Sequence, residues 1–200
     1  MKKLIILFCL LVPVFLYAQD EDNGGDDFQT IFSGKDLKVS GFGGPLMSFT
    51  SIDNNFAHMM GGGGGVIINN FFFGGYGMGL TTEIQFESGE EELLEFGHGG
   101  LWFGFIMNSK KAIHPSIHVR TGWGAISKYN PDDYGIDDYD ADEIFVVTPT
   151  LELEANISRF FKLGAGGSYT FLYGSTTPEY PNEYFNKPSV FLSFKFGWFQ

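Results

Sequence analysis

From His114 to Gly124 every second residue is polar or glycine (His114, Ser116, His118, Arg120, Gly122, Gly124), and Ile117, Val119 and Trp123 fall between them, with Ala125 next. A second stretch repeats the pattern, setting Phe145, Val147, Leu151, Leu153 and Ala155 against Thr148, Thr150, Glu152, Glu154 and Asn156. Successive side chains of a strand point to opposite faces, so this spacing demands a sheet with one bulky apolar face and one face of charge, hydroxyl and glycine. A helical period would mix the two sets.

Read this way, the chain holds eight strand-length segments, at residues 37–50, 56–68, 72–86, 93–107, 113–129, 143–157, 161–173 and 189–199. Each is bounded by Asn, Asp, Pro, Ser or charged clusters. The connections alternate. Asn69–Asn70, NSKKA and SRF are short, whereas SIDNN, ESGEEE, NPDDYGIDDYDAD and GSTTPEYPNEYFNK are longer or more polar. An up-and-down barrel sends alternate connections to opposite ends, which gives one end three tight turns with both termini and the other end four loops. The expected fold is therefore all-β, an eight-stranded antiparallel up-and-down transmembrane β-barrel, because segments this long match the ~9–11 residues a tilted strand needs to cross the hydrocarbon. Alternation alone leaves the inside face open. Side-chain size decides it: a narrow eight-stranded lumen must be filled by side chains, so the bulky face is expected outside and the small or polar face inside.

The stretch GGGGGVIINNFFFGGYGMGL, residues 61–80, fits this frame. The glycines run along the second segment and permit the curvature and close approach of a small barrel, Asn69–Asn70 turn the chain, and Phe72 starts the return. A phosphate-binding glycine loop is excluded by the missing Lys-Ser/Thr and by the strand that follows.

The amino terminus, MKKLIILFCLLVPVFLYAQ, reads as an export signal, with Lys2 and Lys3 before an apolar run and small Ala18 before Gln19. The expected organisation is a signal peptide at 1–18 cleaved after about Ala18, an acidic periplasmic tail at 19–36 containing DEDNGGDD, and the barrel at 37–200. Cys9 would leave with the signal, so no disulfide or thiolate chemistry is expected. Loss of Lys2 and Lys3 takes the net charge from -12 to -14. Such an acidic chain has no basic footprint for nucleic acid.

The ending SVFLSFKFGWFQ places Val190, Leu192, Phe194, Phe196 and Trp198 on one face. It resembles the C-terminal signal of Gram-negative outer-membrane proteins, with Gln200 standing where a last-position Phe is common. Together with the export signal and the eight segments, the chain resembles the small outer-membrane β-barrels of the OmpA-transmembrane, OmpX and OmpW type over residues 37–200. The resemblance implies an outer-membrane location, contact with lipid and lipopolysaccharide, and recognition of the last strand by the barrel-assembly machinery. It implies no residue-level active site.

Six residues, Glu83, His118, Arg120, Glu152, Glu154 and Lys162, are expected to form a charge network in the lumen. Buried charges must meet opposite signs, which makes Arg120 with Glu152 or Glu154 the expected pair. The same charges would line a narrow pore if the lumen were open. His114, Ser116 and His118 with Glu152 or Glu154 have the composition of a Ser-His-acid set, but no nucleophile elbow or oxyanion motif accompanies them. Histidines four apart on a strand are also about 13 Å apart, too far to share a metal. No catalytic residue, metal or cofactor is therefore expected. The dense acids Asp132, Asp133, Asp137, Asp138, Asp140 and Asp142 read as a solvated external loop, with Ca²⁺ ligation as the alternative. The expected role is structural or adhesive recognition through external loops and their extracellular ligand. The alternatives are a small pore or transporter and, less favoured, a lipid-modifying enzyme.

Overall fold

The computed structural model describes residues 37–85, 93–129, 141–178 and 180–199. The expected signal peptide, the acidic tail and Asp132, Asp133, Asp137, Asp138 and Asp140 lie outside the described residues.

The barrel is built from β1 (Val39–Ile52), β2 (Asn55–Ile68), β3 (Phe71–Leu80), β4 (Leu93–Ile106), β5 (Ile113–Tyr129), β6 (Asp142–Asn156), β7 (Phe161–Tyr169), β8 (Phe171–Tyr173) and β9 (Pro188–Gly197), with a short helix α1 (Asn182–Phe185) before β9. β7 and β8 are two runs of one stave, interrupted at Thr170, and both pair with β6. Each stave pairs antiparallel with its sequence neighbour, and β9 returns to β1 through Phe42↔Gly197 to Phe49↔Val190. The result is a closed barrel of eight staves.

Side-chain orientation follows the expected sense. Leu151 and Leu153 are 65% and 60% exposed, whereas Glu152 and Glu154 beside them are 2% and 0% exposed. A water-soluble barrel would reverse those figures. The exposed apolar side chains continue around the wall through Phe73, Leu101, Phe103, Ile117, Trp123, Val190 and Phe196. An apolar surface this continuous belongs against lipid.

The ends also follow the chain order. Asn69, at φ 57, makes the expected two-residue turn between β2 and β3. The connection SIDNN is tighter than expected: β1 and β2 pair up to Ile52↔Asn55, and Asp53 (φ 47) with Asn54 (φ 62) closes a two-residue hairpin. Both residues tolerate positive φ, which is what such a hairpin requires. The third segment is shorter than expected. β3 ends at Leu80, and Thr81 and Thr82 then hold the chain to His58 through backbone and hydroxyl bonds of 2.9 Å.

The inward face of β2 is Ala57, Met59, Gly61, Gly63, Gly65 and Ile67. A side chain on Gly63 would begin 3.0 Å from the Trp102 ring. The glycine run therefore thins the wall on the side where the largest interior side chain sits.

Candidate functional site

Three tiers fill the lumen. The tier nearest the turns is ionic. Lys195 Nζ on β9 donates to Glu152 Oε2 at 2.7 Å and to Glu154 Oε1 at 2.8 Å. Lys162 Nζ stands 3.7 Å from Glu154 Oε2. Ser193 Oγ and Ser116 Oγ both donate to the Glu152 carboxylate. Two lysines thus match two carboxylates at buried positions, and pairing of opposite signs is the condition under which buried charge is tolerated.

Two histidines border this tier in different ways. His118 Nδ1 accepts the Trp102 indole N–H at 3.0 Å, so the ring proton sits on Nε2, which faces Glu152 Oε2 at 3.3 Å. His114 Nδ1 lies 3.0 Å from the Lys111 carbonyl, and its Nε2 lies 3.3 Å from Glu154 Oε2. Both Nε2 contacts fall outside hydrogen-bond geometry and act through charge and dipole.

The middle tier is aromatic. Phe42, Phe72 and Trp102 meet edge to face with ring centroids 5.3 to 5.4 Å apart, and His118 joins them to Phe191 at 5.5 Å. Arg120 lies over the Phe191 ring at 4.2 Å, with Tyr76 at 5.7 Å and Met78 Sδ against its guanidinium. Toward the loops the filling becomes apolar: Phe96, Ile126, Ile144, Val146 and Leu172 are buried, and Phe185 of α1 packs on Phe96 at 5.0 Å.

Five of the six residues expected in the lumen are there: His118, Arg120, Glu152, Glu154 and Lys162 are all buried. Glu83 is not. It is exposed beyond the end of β3, where even-numbered side chains point inward and Ile84 takes the buried position. The expected Arg120 pairing is also corrected. Arg120 stands opposite Thr148 while Glu152 stands opposite Ser116, four residues along β5, so the arginine packs on rings and Lys195 meets both acids. The sequence reading missed Lys195. The signal for Lys195 was present in SFKFG, whose outward Phe194 and Phe196 force the lysine inward.

The two mouths differ in charge. At the turn end Lys38, Lys110, Arg159 and Lys162 line a concavity of about 720 Å³, with no Asp or Glu among the described residues that line it. Around the loop end stand Asp53, Glu83, Glu95, Asp142, Glu143 and Glu183, against Lys128 and Lys187. Asp142, at the loop-side end of β6, accepts from Thr176 Oγ1 at 2.6 Å and from the Thr176 and Thr177 N–H groups at 3.0 Å. Burial works to raise its pKa, but these bonds outweigh burial and hold the carboxyl down to about 2. Asp142 is thus tied to the last loop. Among the described residues no group of His, Cys, Asp or Glu is arranged to hold a metal.

No protein-family model matches the chain, and no curated protein matches it. Solved structures do. Neisserial surface protein A aligns with a TM-score of 0.54 at 14% identity, over 80% of this chain and 96% of its own. The N-terminal β-barrel domain of Pseudomonas aeruginosa OprF aligns with a TM-score of 0.54 at 10% identity, over 82% of this chain and 100% of its own. Ail, the attachment invasion locus protein of Yersinia pestis, solved with the heparin analogue sucrose octasulfate, aligns with a TM-score of 0.50 at 13% identity, over 82% of this chain and 99% of its own. The fold is that of a small outer-membrane β-barrel.

Within this barrel the Ser-His-acid composition does not assemble as a relay. Ser116 Oγ donates directly to Glu152 at 3.2 Å, and His118 uses its second nitrogen on Trp102. Ser116 and His118 are each 1% exposed.

Proposed function

We propose that this chain is an outer-membrane barrel that acts as a recognition or adhesion surface through its loop end, with the lumen as a structural plug. The observation that carries this reading is the filling of the lumen by buried side chains, from the Lys195–Glu152–Glu154 tier through Trp102 and its rings to Phe185 of α1. A wall closed by β1–β9 pairing and a filled interior support a role exercised at the surface. The exported topology, with the turns periplasmic and the last strand recognised by the assembly machinery, belongs to the same proposal. So does the absence of an enzymatic role.

The loop end carries an excess of acids in the described residues, and the sequence adds Asp132, Asp133, Asp137, Asp138 and Asp140 between β5 and β6. Electrostatic complementarity then favours a cationic partner, such as a lysine- or arginine-rich protein segment. Ail was solved with a polyanion, which is the opposite chemistry. Cells displaying the protein should bind a fluorescent polylysine peptide more strongly than cells displaying a variant with these five aspartates changed to Asn. Heparin should not bind either. Equal polylysine binding by the two, or tight heparin binding by the unaltered protein, contradicts the recognition reading.

A further inference from the structure

The mouth opposite the loops has no part in that role, yet it gathers four cationic side chains at one concavity. Lys38 precedes β1, Lys110 lies in the β4–β5 turn, Arg159 in the β6–β7 turn and Lys162 on β7, and the fold brings all four to one concavity of about 720 Å³. That volume is within the range of small-molecule sites, roughly 300–1,000 Å³. Lys162 at the floor is already matched to Glu154 and lies 4.4 Å from the Phe199 ring. Lys38, Lys110 and Arg159 form no ion pair among the described residues, although the chain carries a net charge of -12. Like charges repel, so gathering three unmatched cations at one rim is costly unless an anion joins them.

The backbone presenting these cations is pinned. Asn156 Nδ2 donates to the Ser109 and Lys111 carbonyls at 2.9 and 2.8 Å, which clamps the turn on both sides of Lys110. Ser158 Oγ accepts from the Phe160 and Phe161 N–H groups at 3.3 and 3.1 Å and fixes the turn that carries Arg159. Lys38 is held through its own N–H to Asn69 Oδ1 at 3.2 Å and its carbonyl to the Asn69 N–H at 2.8 Å. Three cations on three braced segments lose little backbone freedom when a ligand arrives, and preorganisation of this kind raises affinity.

We propose that this turn-end vestibule binds a phosphate-bearing anion. A guanidinium with two ammonium groups suits an anionic phosphate: Arg159 supplies a planar fork for two oxygens, and Lys38 and Lys110 supply point charges. Ile67, Ile106 and Phe199 in the lining give such a ligand an apolar seat beside its phosphate. The ligand's source is either a soluble phosphorylated molecule or the headgroup of an anionic phospholipid, and both present the same chemistry.

The test is calorimetric titration of the full chain, folded in a zwitterionic detergent, with inorganic pyrophosphate and separately with short-chain phosphatidylglycerol and phosphatidylcholine. Saturable one-to-one binding of pyrophosphate is expected if the source is soluble. Binding of phosphatidylglycerol without pyrophosphate or phosphatidylcholine assigns the site to a lipid headgroup. In either case Lys110→Gln with Arg159→Gln should weaken binding at least tenfold, and Lys187→Gln at the other mouth should leave it unchanged. Heat-modifiable migration checks that the double variant is folded, and Lys38→Gln, expected to weaken binding about threefold, serves if it is not. No binding of pyrophosphate or phosphatidylglycerol, or equal binding by the unaltered chain and the folded variants, overturns the proposal.

Discussion

Gly164 lies against the Glu152 carboxylate, and a β-carbon built on Gly164 would collide with that carboxylate and with Ser193 Oγ. The inward face of β7 therefore gives up a side chain so that β6 can place a charge beside β9. Gly164→Ala should push Glu152 away from Lys195 and cost about 1–3 kcal/mol, the usual range for overpacking. Gly167→Ala, which would meet nothing within 4 Å, is the control and should be near neutral. Urea midpoints in detergent micelles compare the two. Equal midpoints would remove Gly164 from the account of the ionic tier.

Lys195 is the only lysine that bonds both lumen acids within 3 Å among the described residues. Lys195→Met should leave Glu152 and Glu154 short of a partner and lower stability by about 3–5 kcal/mol. Adding Glu152→Gln to that variant should recover most of the loss, because the remaining acid, Glu154, still has Lys162 as its partner. Denaturant unfolding of the single and double variants measures this. A double variant less stable than Lys195→Met would mean that Glu152 serves something other than Lys195.

The outward face is tested by depth. Leu151, near the middle of β6, is 65% exposed, and Tyr173, at the loop-side end of β8, is 56% exposed. In a bilayer Leu151→Arg should cost about 2–4 kcal/mol, and Tyr173→Arg about 0–1 kcal/mol. Folding yields into lipid vesicles should rank accordingly. Equal penalties at the two depths would contradict a lipid-facing wall.

At the loop end, stability of the last loop should depend on the Asp142 carboxylate. Its folded pKa is depressed to about 2, against an ordinary value of 3.8, so its contribution is complete above the ordinary value and is lost as pH falls toward 2. The amide resonances of Thr176 and Thr177 should shift with a midpoint near 2, and Asp142→Asn should abolish that titration. A midpoint near 4 would show that these threonines do not hold the carboxylate.

How much of this was legible in the sequence depended on distance along the chain. The outward faces of β5, β6 and β9 were legible because alternation is local: Leu151 and Leu153 need only their neighbours to be assigned. Closure of Asp53–Asn54 into a tight hairpin was missed because polar residues suit both a loop and a positive-φ turn. The lumen was harder. Expecting a small or polar interior overlooked Phe42, Phe72 and Trp102, whose bulk is accommodated by inward glycines of other strands, Gly63 above all. Which charges meet across the lumen depends on register and stagger between staves, so Arg120 and Glu152 looked adjacent in sequence pattern and stand four residues out of step in the sheet.

The most direct test of the central claim is single-channel recording of the folded protein in planar bilayers, after heat-modifiable migration confirms folding. A filled lumen is expected to give an inserted but silent barrel, and Trp102→Ala, which removes the largest buried side chain, is expected to admit brief openings. Discrete, stable openings from the unaltered chain would contradict the plug and move the function from the loops to the lumen.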